Sequence, residues 1–299
     1  MRLDKFDLNL LVAFEVLLEE RNVTRAAQRL NVTQSAMSAS LKRLRESFQD
    51  ELLVLHGKKM IPTQHALNLA PEVSSALMRL KSLIATSTRF DPATSRRRFR
   101  ISASDYLTTV LIGRLIELLQ VEAPGIRLNL SLPSSQSTPR LEAGEIDLLL
   151  TPEEFMIGDH PRELLFEERH VIVGWRKNPV MRAAMTQETF LDCGHVAVRI
   201  SNQDTFIESI LLKLLPERRI EVSAQSFIQV PWLLRGTARL SVMHERLAKV
   251  TAPMFDLAIA EPPFPLPLMR EMMQSHVARS NDEGLVWLRE RIKQFAKAA

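Results

Sequence analysis

Val23–Leu44 reads VTRAAQRLNVTQSAMSASLKRL, two short amphipathic segments around a tight turn. Ala26, Ala27 and Leu30 fall at helical spacing in the first segment. Val32 follows the turn, and Met37, Leu41 and Leu44 recur three and four residues apart in the second. Turned inward, these residues close a small three-helix core with Leu10, Phe14 and Leu17 upstream. Left outward are Gln34, Ser35, Ser38, Lys42, Arg43 and Arg45, side chains able to reach both base edges and phosphates. The pattern is that of a helix-turn-helix, whose second helix lies in the DNA major groove.

The flanks extend the same reading. Asp7 is positioned to cap a first helix running to about Glu20, Thr24 to cap the second and Thr33 the third. Thr33 stands where a helix N-terminus also favours phosphate. Leu52–Leu55 reads as a short strand, His56-Gly57-Lys58-Lys59 as a turn and Met60-Ile61 as the return, giving a β-wing with Lys58 and Lys59 at its tip. Pro62-Thr63 then opens a long helix to about Ser87. Its apolar residues Ala66, Leu69, Val73, Ala76, Leu80 and Leu83 recur in near-alternating steps of three and four. So narrow a stripe reads as a seam between two helices, with Leu69, Val73, Leu80 and Leu83 as dimerisation residues; packing onto its own domain is the alternative. Pro71 should bend this helix or loosen its first turns.

The chain has 299 residues, enough for about two domains. Its net charge of +4 is unevenly placed. The first 90 residues hold 13 of the 39 Lys and Arg but 9 of the 35 Asp and Glu, so the whole excess falls on the helix-turn-helix segment. Charge of this sign is what phosphate contact requires. No apolar run approaches the ~20 residues of a membrane helix, and no leader with a cleavage site opens the chain. Cys193 is the only cysteine, which excludes an intrachain disulfide and fits a reducing, cytoplasmic setting.

Thr88–Arg98 is a polar, Pro-containing hinge, after which the pattern changes. Strands are expected at Phe99–Ala103, Ile126–Leu132 and Glu145–Leu150, with helices at Asp105–Val121 and Thr138–Ala143 between them. A second unit follows from near Leu164, with strands at His170–Trp175, Val196–Arg199, Ile220–Ala224 and Leu240–Met243. Strand and helix alternating in this way imply doubly wound parallel sheets. Pro-rich Glu261–Pro267 reads as a return crossing, after which Met269–Ala278 and an Asp282–Lys297 helix close the first unit. The fold class is therefore α/β, with an N-terminal all-α winged helix-turn-helix domain.

Other chemistries find little support. Asp192-Cys193-Gly194-His195 lacks an arranged nucleophile, base and orienting group, so no catalytic residue is assigned. The seven histidines show no metal-ligand spacing, and no Gly-rich phosphate loop is present; no metal or cofactor is expected. Arg96-Arg97-Arg98 reads as a solvated hinge more readily than as a second nucleic-acid contact. Met269, Met272 and Met273 read as core filler.

With these landmarks in place, the chain resembles a LysR-type transcriptional regulator along its full length. DLNLLVAFEVLLEE, AAQRLNVTQSAMSASLKRLRE and DELLVLHGKKMIPT carry the likeness, followed by EAPGIRLNL, LEAGEIDLLL and LLRGTARLSVMHERLA. FDPATSRRRFRISASDYLT, PEEFMIGDHPRELLFEER and WLRERI place it nearest the branch of nodulation-gene regulators and their aromatic-responsive relatives. The resemblance implies a winged helix-turn-helix domain at 1–62, a linker helix at 63–88, a hinge at 89–98 and a two-lobed effector domain at 99–299, like periplasmic solute-binding proteins. Lobe I would take about 99–161 with 268–299, and lobe II about 162–267. It further implies dimers through the linker helix, assembly to tetramers, an interrupted palindromic DNA site, contact with RNA polymerase, and activation or repression of nearby promoters.

On this resemblance Thr33, Gln34, Ser35, Ser38 and Lys42 fall on DNA-contacting positions, joined by Arg43, Arg45, Lys58 and Lys59. Gln34 is the base reader, its amide matching adenine. Leu53 and Leu55 stand where many relatives carry Phe and Arg, and Ser35 replaces a common proline. The effector site would be the cleft between the lobes, with Ser102, Ser104, Asp105, Tyr106, Ser134, Ser135 and Thr151 from one side. Arg199, Ser201, Phe227 and Ile228 would come from the other. That mixture suits an aromatic or flavonoid-like ligand. Arg199 would pair a ligand carboxylate or else sit in a solvent-facing or internal salt bridge. A regulator acting without a ligand, a solute-binding protein, and an enzyme on an α/β scaffold are the alternative readings.

Overall fold

The computed structural model describes residues 6–56, 59–85, 90–156, 158–201 and 203–298, the side chains of residues 81–85 and 298 excepted. Lys58 and the Leu83 side chain lie outside these. The chain divides into two units, residues 1–88 with 142–144, and residues 89–141 with 145–299.

In the first unit, α1 (Asn9–Glu20), α2 (Val23–Arg29) and α3 (Gln34–Phe48) precede a hairpin of β1 (Leu53–His56) and β2 (Lys59–Pro62), then α4 (Gln64–Ala85). Asp7 holds the start of α1: its Oδ1 accepts from Asn9 N at 3.0 Å and its carbonyl from Leu10 N at 2.9 Å. Thr33 caps α3, its hydroxyl accepting from Ala36 N at 3.2 Å. The cap of α2 is Asn22 instead of Thr24, because Asn22 Oδ1 accepts from Arg25 N at 3.0 Å and Val23 is already helical. The turn between α2 and α3 runs through Asn31 at φ +55°, a left-handed step that asparagine tolerates better than most residues. That step carries Val32 outward, so it is 45% exposed and not part of the core. Leu10, Phe14, Leu17, Ala26, Ala27, Met37, Leu41 and Leu44 form one buried cluster, with Leu30 packed at its edge.

The linker helix departs from the seam expectation. Ala66, Val73 and Leu77 are buried in that same cluster, and Leu69 packs against it. Ser74 donates to Glu15 of α1 at 2.9 Å. Val73 is therefore spent on its own domain, whereas Leu69, packed at the edge of that core, is only half-buried. Leu80 is half-buried. α4 continues through Pro71 without a break, because Thr63 caps its start and one missing N–H does not end a helix held along its apolar face.

The second unit has two lobes. Lobe I comprises β3 (Arg98–Ser102), α5 (Asp105–Leu107), a π turn at Thr108–Ile112, α6 (Gly113–Glu122), β4 (Arg127–Ser131), α7 (Ser137–Glu142), β5 (Leu148–Pro152) and β6 (Arg162–Glu168). Lobe II comprises β7 (His170–Trp175), α8 (Gln187–Asp192), β8 (His195–Ile200), β9 (Gln203–Asp204), α9 (Phe206–Leu214), β10 (Ile220–Ala224), α10 (Val230–Leu234), β11 (Leu240–His244), α11 (Glu245–Phe255) and β12 (Leu257–Ala260). The chain then returns to lobe I as β13 (Met269–Gln274) and α12 (Glu283–Ala298). The sheet orders are β4-β3-β5-β13-β6 and β10-β8-β11-β7-β12. β3, β4 and β5 are parallel, as are β10, β8 and β11, while β13, β6, β7 and β12 join antiparallel. Each sheet is thus a doubly wound parallel core widened by antiparallel strands of the two crossings.

Arg97 is neither a solvated hinge residue nor a nucleic-acid contact. Its guanidinium forks onto Asp282 at 2.5 Å for both nitrogens. Arg279 bonds the same carboxylate at 2.9 Å and also pairs with Asp147. Burial alone would raise the Asp282 carboxyl, but the hydrogen bonds and charges of Arg97 and Arg279 hold it down to about 2. This pins the start of β3 to the start of α12. Met269, Met272 and Met273 are all buried in β13, and Cys193 is buried behind α8.

Candidate nucleic-acid interface and ligand cleft

Burying Met37, Leu41 and Leu44 turns the opposite face of α3 to solvent. Thr33, Gln34, Ser35, Ser38, Lys42 and Arg43 are all exposed, and so is Lys59 on the wing. The Thr33 and Ser35 hydroxyls lie 3.0 Å apart, so the serine standing in for a common proline is tied to the cap. Arg43 pairs with Asp7 at 3.3 Å, a solvent-facing contact it can exchange for phosphate. Arg45 is different. Its Nε donates to Glu51 O at 2.9 Å and Nη2 to Leu53 O at 2.6 Å, so it fastens α3 to the wing instead of facing DNA.

The second candidate site is a cavity of about 350 Å³ in the two-lobed unit. It opens beyond the carboxyl ends of β3, β4 and β5, where open α/β sheets place their ligands. Lobe I supplies Ser104 and Tyr106, the β4–α7 loop with Ser134, Ser135, Ser137 and Thr138, and β5 from Leu149 to Pro152. Lobe II supplies Ile200, Thr205, Phe206, Ile207, Phe227 and His244, and the return strand adds Met269 and Glu271.

Of the residues expected in the cleft, Ser104, Tyr106, Ser134, Ser135, Thr151 and Phe227 line it together. Ser102, Asp105, Arg199, Ser201 and Ile228 do not. Ser102 is buried against Ser137, their hydroxyls 3.3 Å apart. Asp105 accepts from Ser226 Oγ at 2.5 Å and from Ile228 N at 3.1 Å, so it ties the lobes together. Arg199 pairs with Asp204 at 2.8 Å, the solvent-facing one of the ion pairs its sequence position left open. Ser201, at φ +52°, turns the chain between β8 and β9, and Ile228 faces out.

The floor of the cavity is aromatic and polar at once. Tyr106 stacks on His244 at 3.8 Å, nearly parallel, and Phe227 meets His244 edge-on at 4.6 Å. The Tyr106 hydroxyl donates to Glu168, which Arg246 also binds at 2.7 Å. Burial and the neighbouring Glu168 and Glu271 carboxylates push the Tyr106 phenol well above its usual value, so it stays protonated. Burial lowers His170 to about 3, and His244 falls well below its usual value through burial and proximity to His170. Both are neutral at neutral pH, His244 in the cavity lining and His170 packed behind it. Glu271 moves the opposite way, raised well above the carboxylate range by burial and by Glu168 and Glu154.

Sequence reasoning missed Glu271, Met269 and His244. The signal for the first two was present: in Met269-Arg270-Glu271-Met272-Met273 the residues Met269, Glu271 and Met273 share one face at period two, which places a carboxyl on an apolar face.

A winged helix-turn-helix joined to a two-lobed unit with a ligand-sized cleft defines a DNA-binding regulator with an effector-binding domain. Residues 8–67 match the bacterial regulatory helix-turn-helix protein family of LysR type, and residues 92–225 match the LysR substrate binding domain. The chain is 41% identical to nodulation protein D 1 of Bradyrhizobium sp. (strain NC92) over 99% of its own length and 95% of that protein. A solved structure of a probable transcriptional regulator from Pseudomonas aeruginosa is 32% identical, with a TM-score of 0.66 over 98% of each chain. Full-length OxyR from the same organism, a variant form, shares the fold at a TM-score of 0.77 and 17% identity, over 96% of this chain and 95% of that one. The chain belongs to the LysR family of transcriptional regulators, and is not an enzyme. No helix among the described residues is long and apolar enough to cross a membrane.

Proposed function

We propose that this regulator binds an interrupted palindrome through α3 and the wing of two copies, and that a small, ring-containing effector in the cleft controls it from the cytoplasm. The observation that carries the DNA half is the exposed row Gln34, Ser35, Ser38 and Lys42 on a helix whose other face is buried. Gln34 and the serines read bases; Lys42, Arg43 and Lys59 contact phosphate. The effector half is supported by the stacked Tyr106, His244 and Phe227 beside the hydroxyls of Ser134, Ser135 and Thr151. The likeness to nodulation protein D supports a regulator of that kind. Half-buried Leu80 lies on the part of the linker stripe left for a second copy, and pairs of dimers would make the tetramer that works beside RNA polymerase. For an effector to switch the protein it must bind one quaternary arrangement better than another.

Nuclease protection of the DNA upstream of the protein's own gene tests this reading. Two protected half-sites related by two-fold symmetry, whole helical turns apart, are expected. A single protected half-site, or uniform protection, would contradict it.

A further inference from the structure

Glu271 is 1% exposed, lines the cleft, and its Oε1 meets no hydrogen-bond partner among the described residues. A buried carboxyl left in this way is costly unless something completes its hydrogen bonding. The charges around it limit what that can be. Among the described residues no lysine or arginine lines the cleft; its acidic residues are Glu154, Asp204 and Glu271. Arg246 and Arg199 are committed to their own carboxylates, Glu168 and Asp204. An incoming carboxylate would therefore find acidic neighbours and no counter-ion.

We propose that Glu271 is the specificity-determining residue of the cleft, donating a hydrogen bond from its carboxyl group to an uncharged oxygen acceptor, a carbonyl or hydroxyl, on a ring compound. The inference rests on the effector reading above and narrows it to uncharged ligands. The raised affinity of Glu271 for its proton agrees with the donor role, because the acid must keep its proton to donate. A ligand cation would instead have to draw that proton off in a buried site already close to Glu168. The aromatic floor of Tyr106, His244 and Phe227 receives the ring, and the serine and threonine hydroxyls opposite serve its remaining polar groups.

The test uses three probes on the same ring, 2-naphthamide, 2-naphthoate and 2-naphthylmethylamine, titrated calorimetrically into the full-length wild type, E271Q and E271L. 2-Naphthamide should bind wild type at least about tenfold more tightly than 2-naphthoate. Glutamine keeps a neutral donor at this position, so E271Q should bind 2-naphthamide within about threefold of wild type, whereas E271L should lose about tenfold or more. Tighter binding of 2-naphthoate, preference for the amine with its loss in E271Q, unchanged binding by E271L, or no binding of any probe to wild type would each overturn the proposal. The comparison of probes on wild type holds even if E271L does not fold. Binding of 2-naphthoate alone would leave the cleft a ligand site while removing Glu271 as its selector, and promoter protection is read independently of all three probes.

Discussion

Asp105, at the start of α5 in lobe I, accepts a hydrogen bond from Ser226 Oγ of lobe II at 2.5 Å. The same carboxylate oxygen accepts from Ile228 N at 3.1 Å. One carboxylate thereby fastens the two lobes beside the cleft, one residue from Tyr106 in its floor. D105A should destabilise the protein by about 1–2 kcal/mol, the range for charge-assisted bonds after allowing for partial exposure. S226A should cost less, because Ile228 N remains. Chemical denaturation of both variants checks this; equal losses would show that the backbone contact contributes nothing.

Arg45 should behave as a structural residue despite its place beside the basic cluster. R45A removes bonds to Glu51 O and Leu53 O, and should lower stability by about 1–2 kcal/mol with little change in the salt dependence of DNA binding. K42A should do the reverse, lowering the slope of log affinity against log salt by about 1 with stability nearly unchanged.

Along α4, V73D and L80D should separate. Val73 is 5% exposed inside the helix-turn-helix core, so its replacement by a charge should unfold that domain. L80D should leave the domain folded and weaken self-association. Thermal melts beside sedimentation measure the two effects; a folded V73D or an undiminished L80D assembly would contradict the division.

Acid should destabilise the protein from about pH 6.5 downward. His170 and His195 titrate at about 3 and about 4 in the folded state, both lowered chiefly by burial, against 6.5 in an unfolded chain. Between those limits the unfolded state binds more protons, so stability falls as pH falls, by up to about 1.4 kcal/mol per pH unit for each histidine. The Asp282 carboxylate, at about 2, adds a further loss below about pH 4. H170F, which keeps an aromatic against Phe206, should flatten the upper part of this limb in urea titrations. Parallel profiles for wild type and H170F would show that His170 is not neutral in the fold.

The elements legible in the sequence were those whose pattern is local. The α3 face, the wing and the parallel strands each follow from short-range periodicity, and Thr33 from its place before an apolar run. Two kinds of feature were not legible. Asp105, Arg45 and Arg97 look like free polar residues in sequence, yet each is committed to partners that only the fold brings near. The other kind is a stripe that admits two partners: Leu69 and Val73 have the spacing of a seam, and the α1 surface they bury is supplied by tertiary packing. The return of Met269–Ala278 to the first unit was legible, but Glu271 was missed because only the fold sets β13 between β5 and β6 with that residue lining the cleft.

The central claim is that α3 reads DNA and that Gln34 carries base preference while the basic residues carry affinity. Fluorescence anisotropy of wild type, Q34A and K59A on the protein's own upstream DNA and on a scrambled duplex, across a salt series, tests it most directly. Q34A should lose about 1–3 kcal/mol on the specific duplex and almost nothing on the scrambled one, and K59A should weaken both alike with a reduced salt slope. Equal losses by Q34A on both duplexes, or a K59A defect confined to the specific one, would contradict the account.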